Sequence, residues 1–327
     1  MEWISGTISS LYNQFILLLA VILLLSVLVH AWLFRRRIRH YRSDYHRLQE
    51  HERESRLVLY HRNQLRARTK SYEQSLHYAL RIQKAMFITT RQLRAYFPES
   101  FIYQRPKEIV SGDFNWARQI NGKVLFSVAD CTGHGVPGAF MSLIGLELFR
   151  QITVVMGILD PAGILNEMNR QFDIVFGDAG EIALKDGIDL ALCAYDYKSR
   201  VLEYAGAFNP IYIVRDHEIL EIKGDRIIVG PDYGLQRGKF ENRRIRIEQE
   251  DMLYMFTDGY ADQFGGPEGK KFKYRRFRHL LMSIHQLSMN EQLLRLEENM
   301  NEWMGSGENQ IDDQTVLGIR PASFSSS

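Results

Sequence analysis

A chain of 327 residues with a net charge of +2 and 24% charged residues can hold one or two packed domains. It carries no overall charge of the kind that marks a nucleic-acid binder. Its two cysteines, Cys131 and Cys193, exclude a disulfide framework and suit a reducing compartment.

Residues 11 to 34, LYNQFILLLAVILLLSVLVHAWLF, contain no Asp, Glu, Lys or Arg over 24 positions. About 20 apolar residues suffice for a helix to cross a bilayer, and Tyr12 and Trp32 stand where aromatic rings favour the interface. A signal peptide is the weaker alternative, because residues 1 to 10 lack a basic stretch and VLVHAWLF is a poor cleavage site. Arg35, Arg36, Arg37 and Arg39 follow at once, so the positive-inside rule leaves the rest of the chain in the cytosol. The expectation is a single-pass anchor in the cytoplasmic (inner) membrane, with residues 1–10 outside and 11–34 spanning.

From Arg35 to Lys70 there are twelve Lys or Arg against four acids, a charge suited to anionic lipid headgroups. No base-reading motif accompanies it, so no nucleic-acid partner is expected. Residues 36 to 97 contain neither Gly nor Pro, which predicts one long helical stalk over 35–97. A seam spaced by fours and threes passes through Leu48, His51, Ser55, Val58, Arg62, Leu65, Thr69, Tyr72, Leu76, Ala79, Gln83 and Met86; it is poor in its first half and better from Leu65 onward. A parallel homodimeric coiled coil is the sharper expectation, and a solvated helical spacer the alternative.

After Pro98 short apolar runs alternate with Gly, Asn and Asp, predicting a domain over 98–320 and a disordered tail over 321–327. Expected strands are 101–104, 113–119, 123–129, 188–196, 201–206, 211–214, 219–222, 244–247, 251–257 and 314–319. Expected helices are 137–156, 161–176, 273–285 and 290–304. Antiparallel strands with helices between them predict an α+β layered fold.

Within SGDFNWARQINGKVLFSVADCTGHG, residues 111 to 135, Asn121-Gly122 suits a two-residue hairpin turn. That turn sets Asp113 across from Asp130, although opposed like charges weaken a sheet. Two further apolar strands abut acids: DMLYMFTDG delivers Asp258-Gly259, and Asp312-Asp313 precedes QTVLGI. Glycines 112, 133, 135 and 259 flank these acids and let backbone approach a ligand closely. An all-oxygen set suits a hard divalent ion, and no Cys/His spacing suits zinc. The facing acids are thus explained by a cation between them. Each acid alone is more often a strand-end or turn residue than a ligand.

The blocks SGDF, VADCTGHGVPGAFMS, FTDGYADQFGG and DDQTVLGI resemble, in order, the signatures of the SpoIIE-like branch of the metal-dependent (PPM, type 2C) serine/threonine protein phosphatases. The resemblance implies an antiparallel β-sandwich flanked by helices and two divalent ions, Mn²⁺ or Mg²⁺. It implies that Asp130 bridges the ions with the Cys131 carbonyl as a backbone ligand. By the same resemblance Asp113 would hold the first ion, often through its waters, and Asp258 and Asp312 would be ligands of the second ion, with Asp312 preferred to Asp313. Asp130 and Asp113 thereby become the catalytic acids. His134 is either a general acid or a loop-ordering hydrogen-bond partner.

The same resemblance implies hydrolysis of phosphoserine or phosphothreonine by a water that the two metals activate. Its substrate would be a phosphorylated regulatory protein, such as an anti-sigma-factor antagonist type domain, and the stalk would gate it. The chain departs from the pattern at Asn115, where many relatives carry an aromatic, and offers no position for the phosphate-binding arginine of type 2C enzymes. Asp189 reads as structural, with like-charge proximity to the site as the alternative. A catalytically inactive phosphoprotein-binding scaffold of the same fold is the second reading, and a nucleotide cyclase would need a purine pocket that is not visible.

Overall fold

The computed structural model describes residues 2–176, 186–231 and 238–321; most of the tail over 321–327 lies outside them. The chain divides into two compact units, Met1–Glu73 and Gln74–Ser327. Helix α1, Glu2–Met86, makes up the first unit and continues into the second.

In the first unit every side chain from Leu11 to Phe34 is exposed. Among the described residues two helices are long and apolar enough to cross a membrane. The stretch in α1 reaches a mean hydropathy of 2.8 with none of it buried, whereas Gly135–Val155 reaches 1.4 and is 56% buried. Burial on that scale makes the second a core helix of the folded unit.

The second unit opens with the last turns of α1 and helix α2, Thr90–Tyr96. The helix expected without interruption to residue 97 therefore breaks after Met86. Thr89 leaves helical geometry, and its hydroxyl and the Gln92 side chain form a reciprocal capping box that starts α2. Phe87, Leu93 and Phe97 are buried, so tertiary packing rewards the break.

Two five-stranded sheets follow, and every strand pairing within them is antiparallel. One has the order β1 (Ser100–Arg105), β12 (Gln314–Ile319), β9 (Met252–Phe256), β6 (Ile211–Arg215), β7 (Glu218–Ile222). The other has the order β2 (Phe114–Ile120), β3 (Lys123–Cys131), β4 (Ile188–Asp196), β5 (Val201–Ala207), β8 (Arg243–Arg246). The helices are α3 (Gly135–Arg150, extended by a π-turn to Val155), α4 (Pro161–Phe176), α5 (Gly259–Asp262), α6 (Lys273–Ile284) and α7 (Met289–Met304). A two-stranded hairpin, β10 (Phe264–Gly265) and β11 (Lys270–Lys271), was not expected from the sequence.

The unbroken apolarity of the central strands has a simple cause. On β3, Val124, Phe126 and Val128 pack between the sheets against Leu253, Met255, Leu317 and Ile319. The alternate residues Leu125 and Ala129 pack beneath α3 and α4 with Phe149, Ile164 and Leu165. On the far side Met252, Tyr254 and Phe256 of β9 meet α6 and α7 through Phe277, Leu281 and Leu296. Strands buried on both faces need no polar alternation, and the result is a helix–sheet–sheet–helix stack.

The Asn121-Gly122 turn takes positive φ at both residues, 50° and 81°, and fixes the register Phe114↔Ala129 to Ile120↔Lys123. Asp113 lies one residue beyond the end of that ladder, just before Phe114. Asp130 sits inside β3, and its partner on the other side is Asp189 of β4.

Candidate functional site

The acids collect at one end of the sandwich. Asp113 precedes β2, Asp130 is on β3 and Asp189 on β4, all from one sheet. Asp258 follows β9 and Asp312-Asp313 precede β12, from the other.

Several close contacts hold these strand ends together. Asp113 is 1% exposed, and its Oδ2 accepts the Thr257 hydroxyl at 2.7 Å. Thr257 in turn accepts the Thr315 amide at 3.0 Å, linking β9 to β12. Asp258 and Asp130 come close enough across the sheets for each to affect the other's proton. A Cβ on Gly259 would stand 1.9 Å from the Asp313 carbonyl oxygen, so only glycine allows that approach. A Cβ on Gly112 would meet the Gly133 carbonyl at 2.7 Å and the Cys131 carbonyl at 3.2 Å, which sets the Cys131 oxygen against the residue before Asp113.

The neighbouring acids Asp312 and Asp313 differ in use. Asp313 is 3% exposed; it accepts the Lys107 amide on Oδ1 and the Gly112 amide on Oδ2, both at 2.7 Å. It is thus spent on holding the loop before β2. Asp312 is half-buried, and its Oδ1 accepts only the Asp313 amide, at 2.9 Å, among the described hydrogen bonds.

Burial above all holds Asp113, Asp130, Asp258 and Asp312 above the ordinary carboxylate range. Their mutual repulsion pushes the same way: Asp130 feels Asp113, Asp258, Asp312 and Asp189 in turn. The Thr257 hydroxyl opposes the rise at Asp113. Asp189 is pushed up to about 6 by burial and then by the charge of Asp258, and its Oδ1 is buried without a partner. The nearby cations are peripheral. Lys271 is paired with Asp262 at 2.7 Å, and Lys107 lies at the edge, where it favours the charge on Asp312.

Five carboxylates converging in a low-dielectric site, with no lysine or arginine paired to them among the described residues, call for a cation. The donors are carboxylate and carbonyl oxygens, a set that fits a hard divalent ion. Among the described residues no group of three or more His, Cys, Asp or Glu side chains is already arranged around one point as a metal cage. The fit therefore lies in donor chemistry and uncompensated charge. Burial raises both thiols, Cys131 and Cys193, which argues against a thiolate nucleophile.

His134 caps α3 outside the acids. Its Nδ1 contacts Glu108 Oε1 and its Nε2 contacts Lys107 Nζ, both at 2.7 Å. An ammonium can only donate, so Nε2 accepts and Nδ1–H donates to the carboxylate. The ring thus ties the loop after β1 to the loop after β3.

Asn115, the departure after GDF, is 1% exposed and donates to Gln104 Oε1 at 3.3 Å. Gln104 donates at 3.4 Å to the Asp113 carbonyl, so a polar relay fills the place of an aromatic ring. Thr257, Thr315 and Gln104 were not singled out in the sequence. The only signal for the threonines is a β-branched hydroxyl at a strand end beside each acidic motif, FTDG and DDQT.

A two-sheet sandwich with strand-end acids, flanked by helix pairs, defines a PP2C-type protein phosphatase domain, and the comparisons agree. The SiaA-PP2C domain of Pseudomonas aeruginosa is 33% identical, with a TM-score of 0.69 over 77% of this chain and 98% of that one. The PP2C phosphatase domain with a fragment of the regulatory domain of the cell fate determinant SpoIIE from Bacillus subtilis shares the fold. It is 18% identical, with a TM-score of 0.54 over 68% of this chain and 62% of that one. The RsbU and RsbW domains of a Mycobacterium tuberculosis protein share it as well, at 22% identity and a TM-score of 0.52, over 69% and 60%. No curated protein sequence matches. The sequence model described as "Stage II sporulation protein E (SpoIIE)" matches residues 120–321. The chain belongs to the SpoIIE family of PP2C-type serine/threonine phosphatase domains.

Proposed function

We propose that the chain is a membrane-anchored, metal-dependent protein serine/threonine phosphatase that acts on a phosphorylated regulatory protein in the cytosol. The observation that carries this reading is the convergence of Asp113, Asp130, Asp258 and Asp312 from both sheets with no paired cation among them. Asp113, Asp130, Asp258, Asp312 and the Cys131 carbonyl would together hold two divalent ions, Mn²⁺ or Mg²⁺. When bound, such ions supply charge neutralisation and an activated water for in-line attack on phosphorus.

The chain's own residues do the positioning. Thr257 orients Asp113, Gly112 and Gly259 permit close backbone approach, and Asp313 holds the loop that bears Asp113. His134 fits a loop-ordering role better than a general acid, since both ring nitrogens are engaged. The exposed apolar stretch from Leu11 to Phe34 and the basic residues after it support a single-pass inner-membrane anchor resting on anionic lipid. Homodimerisation through the stalk and gating by it belong to the same reading, as does an anti-sigma-factor antagonist type domain as substrate.

A second reading is a phosphoprotein-binding scaffold that does not hydrolyse. What favours it is that no three side chains are already arranged as a cage among the described residues. The full-length chain assayed with Mn²⁺ on a phosphoserine peptide, beside Asp130→Asn, separates the two. Metal-dependent phosphate release that disappears in the variant supports the enzyme. Equal background release from both supports the scaffold.

A further inference from the structure

Gln83 lies near the end of α1 and is only 2% exposed. Its Nε2 donates to the Ser111 carbonyl at 2.8 Å and to Ser142 Oγ of α3 at 3.1 Å. Its Oε1 accepts the Ser111 amide at 3.2 Å. One primary amide thus grips both main-chain groups of a single residue, as a neighbouring strand would, and uses its remaining donor on α3. The Ser142 hydroxyl donates to the Ala139 carbonyl at 2.8 Å, which leaves its lone pair for Gln83. Ser111's own hydroxyl is buried without a hydrogen-bond partner among the described residues, so side-chain anchoring of that residue comes from Gln83.

The next two residues are Gly112, held by Asp313, and Asp113, held by Thr257. Gly138 of α3 also presses on Gly112: a Cβ on Gly138 would stand 2.9 Å from the Gly112 Cα. Gln83 therefore secures, from outside the sandwich, the crossing at which α3 meets the Asp113 loop. A groove of about 350 Å³ runs alongside, lined in part by Leu80, Phe87, Pro106 and Ile109. The directional bonds of the amide hold the crossing beside this groove.

We propose that Gln83 is a positioning residue of the acidic site, fixing Ser111–Asp113 in the geometry that a divalent cation requires. The alternative is a satisfied core amide that contributes only global stability. The metal part of the proposal rests on the metal-site reading above; the loop-fixing part stands without it.

The test uses the full-length chain with Gln83→Glu, which keeps the shape and removes both donors, Gln83→Leu, and Ser142→Ala, which removes one of the three Gln83 bonds together with the local Ser142–Ala139 bond within α3. Amide hydrogen exchange is read in chelator-treated protein at residues 111–114 and, as the internal standard, at Leu190–Ala194 of β4. Mn²⁺ binding is read by titration of the free-ion EPR signal. Both Gln83 variants are expected to speed exchange at 111–114 by about tenfold or more with β4 unchanged. The Mn²⁺ dissociation constant should rise by about tenfold, as for other residues that orient ligands, and Ser142→Ala should fall between.

Wild-type exchange at 111–114, or equal acceleration there and in β4, overturns the proposal. If the Gln83 variants do not fold, Ser142→Ala decides by the same exchange criterion. If the unmodified chain takes up no Mn²⁺, the metal-site reading fails and the exchange result still decides the role of Gln83.

Discussion

Thr257 donates its hydroxyl to Asp113 at 2.7 Å, joining the end of β9 to the start of β2 across the two sheets. The bond favours the ionised carboxylate against burial. Thr257→Val removes it, keeps the volume, and also deprives the Thr315 amide of its acceptor. Two lost bonds in a buried setting should cost about 2 kcal/mol of stability, and Mn²⁺ affinity should fall by about tenfold. Denaturant unfolding and metal titration read the two effects separately, and a variant with unaltered Mn²⁺ affinity would exclude a role for Thr257 at the site.

The acids Asp312 and Asp313 should separate on substitution. Asp313→Ala leaves the Lys107 and Gly112 amides without their acceptor, and a loss of about 2–4 kcal/mol in unfolding free energy is expected. Asp312→Asn keeps an acceptor for the Asp313 amide, so its stability should change by less than about 1 kcal/mol while Mn²⁺ binding falls. Similar stability losses in both variants would mean that the division of labour is wrong.

A pH dependence follows from Asp189, which is pushed up to about 6. A carboxyl that holds its proton more tightly folded than unfolded adds stability at low pH, and that stability is lost as pH rises through its folded value. In chelator-treated protein Asp189→Asn should therefore gain on the wild type from about pH 4 to about pH 6 and hold a constant advantage above. The gain has a ceiling on the order of 2 kcal/mol once its partial exposure is allowed for. Denaturation midpoints across this range check it, and a difference that does not vary with pH would count against the assignment.

His134 bridges Lys107 and Glu108. If its work is to order the loops, His134→Gln should lower kcat by less than about tenfold and leave the pH profile unchanged in shape. A general acid is worth about 10²–10⁴-fold. A loss on that scale, together with disappearance of the alkaline limb, would restore the acid role.

Local signals carried most of the fold. The Asn121-Gly122 turn fixed the register that brings Asp113 towards Asp130, and β4, β12 and α4 have the expected bounds. The pairing of Asp130 with Asp189 was not legible, because β3 and β4 are joined by a long connection with no turn to set their register. Gln83 fitted a seam facing another helix, yet its amide is used within its own folded unit. Periodicity shows which residues share a face and is silent on what covers that face. The break before α2 had a signal, the Thr89-to-Gln92 capping box, which the absence of Gly and Pro outweighed.

Because the acids are drawn from both layers of the sandwich, ions held there would act as rivets between two plates that otherwise adhere through non-directional apolar contact. With such ions removed, the like charges would work against the Thr257–Asp113 bond that still joins the two layers at that rim. Chelation should therefore loosen the assembly by shear at a single edge, and catalytic competence and mechanical closure of that edge become one property.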